Sequence, residues 1–149
     1  MTQSPQAKES QLRKLITEMR LMEGTVNTLQ QRLQIVLASA SELSLAQKSL
    51  KDLKNIEPGN SLLVPIGGSA FINAKLGDPD KVVVGIGANV SLEMTHLDAL
   101  NDVSERLEEM EKAQNSIEQQ LGQILAQLKT HQSIAERLSS EIQKNNSGT

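Results

Sequence analysis

The chain has 149 residues, a net charge of −3, a single aromatic residue (Phe71) and no cysteine, tryptophan or tyrosine. Ordinary cores draw much of their buried area from aromatic side chains, so this composition excludes a conventional globular interior and fits a thin helical seam. Without cysteine there is neither a disulfide framework nor a thiolate site.

Residues 1–7 are polar and are expected to form a disordered tail. They lack the apolar run of a signal peptide, and nowhere do 18 apolar residues follow one another, so no membrane span is expected. A soluble cytoplasmic protein is the plain expectation. Residues 8–56 are expected to form a first long helix. Its apolar positions are Leu12, Leu15, Met19, Met22, Val26, Leu29, Leu33, Val36, Ala40 and Leu43, in alternating steps of three and four. An apolar residue every 3.5 positions makes one seam, which is buried only against another helix. Glu57-Pro58-Gly59-Asn60 then stops the helix.

Residues 57–95 change character. Ser61–Ile66 and Ser69–Leu76 read as two strands around Gly67-Gly68. After the turn cluster Gly77–Asp80, the runs Lys81–Ala88 and Val90–Thr95 read as two more strands around Ala88-Asn89. Two-stranded ribbons are marginal alone and leave their edges unpaired, so this segment is expected to be a platform that pairs with equivalents from other chains. Residues 96–144 form a second heptad helix with Leu100, Val103, Leu107, Met110, Ile117, Leu121, Ile124, Leu128, Ala135, Leu138 and Ile142 in the seam and Gln114 and His131 as polar exceptions. Residues 145–149 are expected to be a flexible tail.

Two seams of similar length joined by a short insert predict an antiparallel coiled-coil hairpin of α+β class. If the helices fold back at the insert, facing residue numbers sum to about 150. Val26 then faces Ile124, Leu29 faces Leu121, Leu33 faces Ile117 and Leu43 faces Leu107. The first arm carries eight Lys/Arg against five Asp/Glu and the second five against nine, so opposite charge on the two arms favours this pairing. Towards the free ends the match weakens. Met19 would face His131, Leu15 would face Ala135, and Gly24 and Gly122 each cost about 0.8–1 kcal/mol relative to Ala, so the distal third is expected to be loosely zipped. Ile16, Leu21, Leu125 and Ile134 lie outside the seam near that end. They either widen the stripe or make an apolar mobile tip suited to gripping non-native chains, which the adaptable Met19 and Met22 also suit.

No motif argues for catalysis or a cofactor. Gly85-Ile86-Gly87 lacks the third glycine of a dinucleotide loop and runs into a strand, not a helix. His96 and His131 have no ligand cluster around them, so no metal is expected; His131 reads as a polar seam residue that sets register. Basic residues spaced along a helix, with no aromatics to stack bases, argue against nucleic acid.

The string Leu62–Glu93, with Val64-Pro65, Gly67-Gly68-Ser69, Phe71-Ile72, Ala74, the Asp78–Lys81 turn and Val84-Gly85-Ile86-Gly87-Ala88 in order, resembles the alpha class of the prefoldin family, and two hairpins instead of one fit that class. The resemblance implies an ATP-independent holdase subunit in a hexamer of two alpha and four beta subunits, its hairpins building an intersubunit β-barrel platform. It implies that unfolded polypeptide clients are held at the coiled-coil tips and passed to a group II chaperonin, with no cofactor and no enzyme activity. The platform residues are then Leu63, Val64, Ile66, Phe71, Ile72, Val82, Val84, Ile86, Val90 and Leu92. Client contacts are assigned to the tip residues Leu12, Leu15, Ile16, Met19, Leu21, Met22, Leu128, Ile134, Leu138 and Ile142. The alternative is a prefoldin-like scaffold that holds fixed partners, whose tips should be tightly zipped or carry specific charged contacts.

Overall fold

The computed structural model describes residues 4–148. Helix α1 (Pro5–Leu53) leads into β1 (Ser61–Gly67), β2 (Ala70–Lys75), β3 (Val82–Gly87) and β4 (Val90–Met94), and helix α2 (His96–Asn146) closes the chain. Two long helices with two small antiparallel hairpins between them make an α+β fold.

Local chemistry sets each boundary. α1 starts three residues before the expected position, so Pro5–Ala7 are helical and not part of a tail; residues 1–3 lie outside the described residues. The reason is a cap. Ser4 Oγ accepts the Ala7 N–H at 3.3 Å, and Pro5, with its φ already fixed, occupies the first helical position, where no N–H is needed. α1 also ends earlier than expected, at Leu53. The Asn55 and Ile56 N–H groups turn back to the Asp52 and Leu53 carbonyls in tight three-residue turns, ahead of Pro58. α2 opens on Thr95, whose Oγ1 accepts the Asp98 N–H at 3.2 Å, and its helix continues through Asn146, two residues into the expected tail.

The described chain divides into two compact units. The first joins α1 up to Val36 with α2 from Ala113 onward. Its core is Val26, Leu29 and Leu121, packed by Leu33, Ile117 and Ile124, which is the antiparallel register expected from the heptads. Its far end is closed, contrary to the loose zipping expected there. Leu15 and Leu138 are only 9 % and 5 % exposed. Lys8 Nζ donates to Glu141 Oε2 at 2.7 Å. His131 sits between the Gln127 carbonyl (Nδ1, 2.9 Å) and Glu18 Oε2 (Nε2, 3.1 Å), so its ring hydrogen-bonds Glu18, the neighbour of the seam residue Met19.

Lys8 holds the Glu141 carboxyl below its ordinary value of 4.5, first through the hydrogen bond and then through its charge. A depressed folded value means that the contact stabilises at neutral pH and is lost as the pH falls through that value. Glu141→Gln should therefore melt slightly earlier than the parent at pH 7, and the two should melt together once the pH is well below 4. A difference that persists in acid would show that the carboxylate is not responsible.

The second unit spans Leu37–Lys112. Here Leu50 of α1, Ala99 and Val103 of α2 and Val84 of β3 form one buried cluster, packed by Leu43, Ala46, Val82, Met94 and Leu100. The second hairpin is thus seated on the helix base of its own chain. His96, the first residue of α2, is buried, and its Nε2 lies against the Leu50 carbonyl. A carbonyl only accepts, so Nε2 carries the proton. The last turn of a helix has carbonyls without intrahelical partners, and His96 thus ties the end of α1 to the start of α2. Gln47 Nε2 donates to Ser104 Oγ at 3.0 Å one layer further along.

The hairpins are built alike. Gly68-Ser69 and Ala88-Asn89 have φ of 55°, 61°, 50° and 59°, the pair of positive values that makes a type I′ turn and matches strand twist. In each, the ladder shifts just before the turn, between Pro65 and Gly67 and between Gly85 and Gly87. The bulge is completed by Gly67 and Gly87 at φ 105° and 111°, values that side chains rarely allow.

Candidate functional site

Strand alternation decides which hairpin side chains are free. In β3–β4 the pairs Val82–Met94 and Val84–Leu92 share one face, and Val83–Glu93 and Gly85–Ser91 the other. Val82 and Val84 turn towards the helices, and Val84 is 8 % exposed. Both were expected on the platform surface. Within the chain Val84 is buried and Val82 is partly buried against the same cluster, an orientation that a three-valine run, lacking alternation, does not reveal. Val83, absent from the expected set, is the outward one at 70 % exposure.

The first hairpin has no such division. Val64–Ile72 and Leu62–Ala74 lie on one face, Pro65–Phe71 and Leu63–Asn73 on the other, and Leu63, Val64, Phe71 and Ile72 are all exposed. Ile66 and Ile86, unpaired at the bulges, are exposed, as are Val90 and Leu92. The unit therefore displays a large apolar surface with no cover from its own chain. Monomers rarely expose contiguous apolar patches beyond a few hundred Å², and each hairpin leaves strand edges open. Both facts point to other chains.

Beside β3 runs an apolar groove of about 700 Å³, lined by Leu43, Ala46 and Leu50, by Val82–Gly85, and by Val103 and Met110. At its rim Arg106 Nη2 pairs with Asp102 Oδ2 at 2.6 Å and donates to the Gly85 carbonyl at 2.8 Å.

The expected tip residues separate by exposure. Leu15 and Leu138 are buried in the seam, and Leu12, Met19, Met22, Leu128, Ile134 and Ile142 are half-buried there. Only Ile16 and Leu21 are exposed, Leu21 at 69 %, and Leu125 joins them. Ile16 and Leu21 are about 140° apart around α1 at roughly 100° per residue, so they do not form one stripe. Among the described residues no group of His, Cys, Asp or Glu is placed to hold a metal ion, and no helix is long and apolar enough to cross a membrane.

Residues 22–141 match the family model described as "Prefoldin subunit". Over 76 % of its length the chain is 32 % identical to prefoldin subunit alpha of Methanopyrus kandleri, covering 72 % of that protein. The chain belongs to the alpha class of the prefoldin family. A second prefoldin subunit alpha, from Methanococcoides burtonii, is 30 % identical across 82 % of the chain and 91 % of its own length. The chain is also similar to a structure of filamentous PFD from Methanocaldococcus jannaschii, at 27 % identity, with 84 % of this chain and 92 % of that one covered and a TM-score of 0.49. As a prefoldin, the chain is a subunit of a chaperone that assembles with other prefoldin subunits, in a family that is not enzymatic.

Proposed function

We propose that this prefoldin subunit is an ATP-independent holdase component that captures non-native polypeptides and passes them to a group II chaperonin in the cytoplasm. Two copies would join four one-hairpin beta subunits through an intersubunit β-barrel platform. The observation that carries the reading is the uncovered apolar surface of the hairpins, Leu63, Ile66, Phe71, Ile72 and Ile86 foremost, in a unit whose strands end in open edges. Assembly places several distal ends around one client. One apolar side chain contributes about 1.5–3 kcal/mol if fully buried, before ordering costs. Several weak contacts acting together hold a client by avidity and still release it.

Client contacts are assigned to Ile16, Leu21 and Leu125, which are exposed, and to the half-buried Leu12, Met19, Met22, Leu128, Ile134 and Ile142 beside them. Changing Ile16, Leu21 and Leu125 together to Ser should leave the assembled mass unchanged. It should weaken suppression of a denatured client's aggregation, without nucleotide, by on the order of tenfold, as expected for roughly 1–2 kcal/mol lost in total. Unchanged suppression by a complex of normal mass would remove these residues from the client site.

The second reading is a prefoldin-like scaffold that holds fixed partners. It is favoured by the closed distal end, where Lys8–Glu141 is a specific charged contact, Glu18 and His131 share a hydrogen bond, and Leu15 and Leu138 are buried. The same assay separates the two: a scaffold complex assembles normally and leaves client aggregation unaltered.

A further inference from the structure

We propose that the distal end selects its clients by charge, holding non-native segments in which apolar residues stand beside carboxylates. The inference rests on the client-site reading above and adds the class of segment that Ile16, Leu21 and Leu125 take. Side chains three and four positions apart are neighbours on one face of a helix. The residues so placed around Ile16 are Leu12, Arg13, Met19 and Arg20, and those around Leu125 are Leu121, Gly122, Leu128 and Lys129. Every charge one turn away from these two exposed side chains is therefore positive. Leu21 has Glu18 at that spacing, but Glu18 is already engaged. Its Oε2 lies 3.1 Å from His131 Nε2 and its Oε1 4.0 Å from Lys14 Nζ.

Arg13, Arg20 and Lys129 are exposed, and among the described residues no carboxylate forms a salt bridge with them. Glu9 and Glu23, one turn further out along α1, are exposed as well and stay unpaired with the two arginines. The same sign extends over the first unit. Residues 1–36 and 113–149 carry eight Lys/Arg and six Asp/Glu, whereas residues 37–112 carry seven and twelve. The net charge of −3 thus combines a basic distal unit with an acidic hairpin unit. An acidic segment is drawn to the first and repelled by the second, and such fields govern encounter and choice of partner more than final affinity. On contact, a carboxylate next to a client's leucine reaches Arg13 or Arg20 while the leucine covers Ile16, and the planar guanidinium matches a carboxylate in shape. A lysine in the same place meets like charge.

Three fluorescent peptides with the same leucines, spaced by glutamate, by lysine or by serine, would be titrated into the complex of this chain with its partner subunits. They would also be titrated into the complex carrying Arg13→Gln, Arg20→Gln and Lys129→Gln, with native mass showing that the two have one composition. At low salt the variant should bind the glutamate peptide on the order of tenfold more weakly, as three exposed charge contacts allow. It should bind the lysine peptide more tightly and the serine peptide as the parent does. Parent and variant should converge at high salt, where exposed charges are screened. Equal binding of the glutamate peptide at low salt, with the serine peptide still held, overturns the charge selection and leaves client holding standing. Equal loss of all three peptides in the variant also overturns it, because the cations would then support the arm and not the client. A parent complex that binds none of the three overturns both this inference and the client-holding reading.

Discussion

Val84→Asp is expected to release the second hairpin from its helix base, lowering the stability of the chain and abolishing assembly together. Val84 is among the most buried side chains of the hairpin segment, and its neighbours Leu50, Ala99 and Val103 offer a carboxylate no hydrogen-bond donor. The substitution removes about 1.5–3 kcal/mol of apolar burial and leaves an unpaired charge inside, a combination that reaches on the order of 3–5 kcal/mol or shifts the carboxyl to its neutral form. Val83→Asp next to it is the control. That side chain points to solvent in the chain alone, and surface substitutions of this kind stay within about 0.5 kcal/mol. Denaturant unfolding of the two isolated variants, beside the native mass of each with partner subunits, gives the answer. Equal unfolding midpoints would mean that the cluster around Val84 does not hold the base.

Phe71→Asp is expected to do the opposite: to abolish assembly and leave the isolated chain as stable as before. Phe71 is the only aromatic residue and is 58 % exposed, paired across the hairpin with Pro65. Its own chain covers less than half of it. Buried by a neighbouring subunit it would contribute about 1.5–3 kcal/mol. An aspartate in its place has to be desolvated as well, so association should weaken by at least about a hundredfold, which corresponds to 2.7 kcal/mol or more. Sedimentation should show the variant remaining separate at concentrations where the parent assembles, with an unchanged helical signal and unfolding midpoint. Normal assembly of this variant would remove the outer face of the first hairpin from the interface.

The heptads made the helices and their register legible, because a 3.5-residue period identifies the seam and only one fold-back matches Val26 to Ile124 and Leu29 to Leu121. The hairpins were legible from glycine and asparagine at positions needing positive φ. What was missed has physical reasons. The closed distal end depends on Lys8, Glu18, His131 and Glu141, polar side chains that an apolar pattern passes over. The early start of α1 depends on Ser4 and Pro5, a cap that reads as a tail unless both residues are taken together. The inward turn of Val84 and the outward turn of Val83 were hidden in a run of three valines. His96 showed no signal at all, since its partner is a backbone carbonyl of another helix. Ile134 and Leu125 were both off the seam. Only the packing of the first unit showed that Leu125 stays exposed and that Ile134 is partly covered.

The twin hairpins give the chain a valence of two. A building block with one adhesive ribbon can only terminate a chain of contacts, whereas a block with two can sit between neighbours and pass the contact on. Because one ribbon is anchored to its own helices through Val84 and the other exposes Val64 and Ile72 on one face and Leu63 and Phe71 on the other, the two connectors are not interchangeable, and the block has a polarity. Mixed with the one-ended subunits proposed above, such two-ended blocks are capped at their ends, so the proportion of the two kinds would control how large the particle grows.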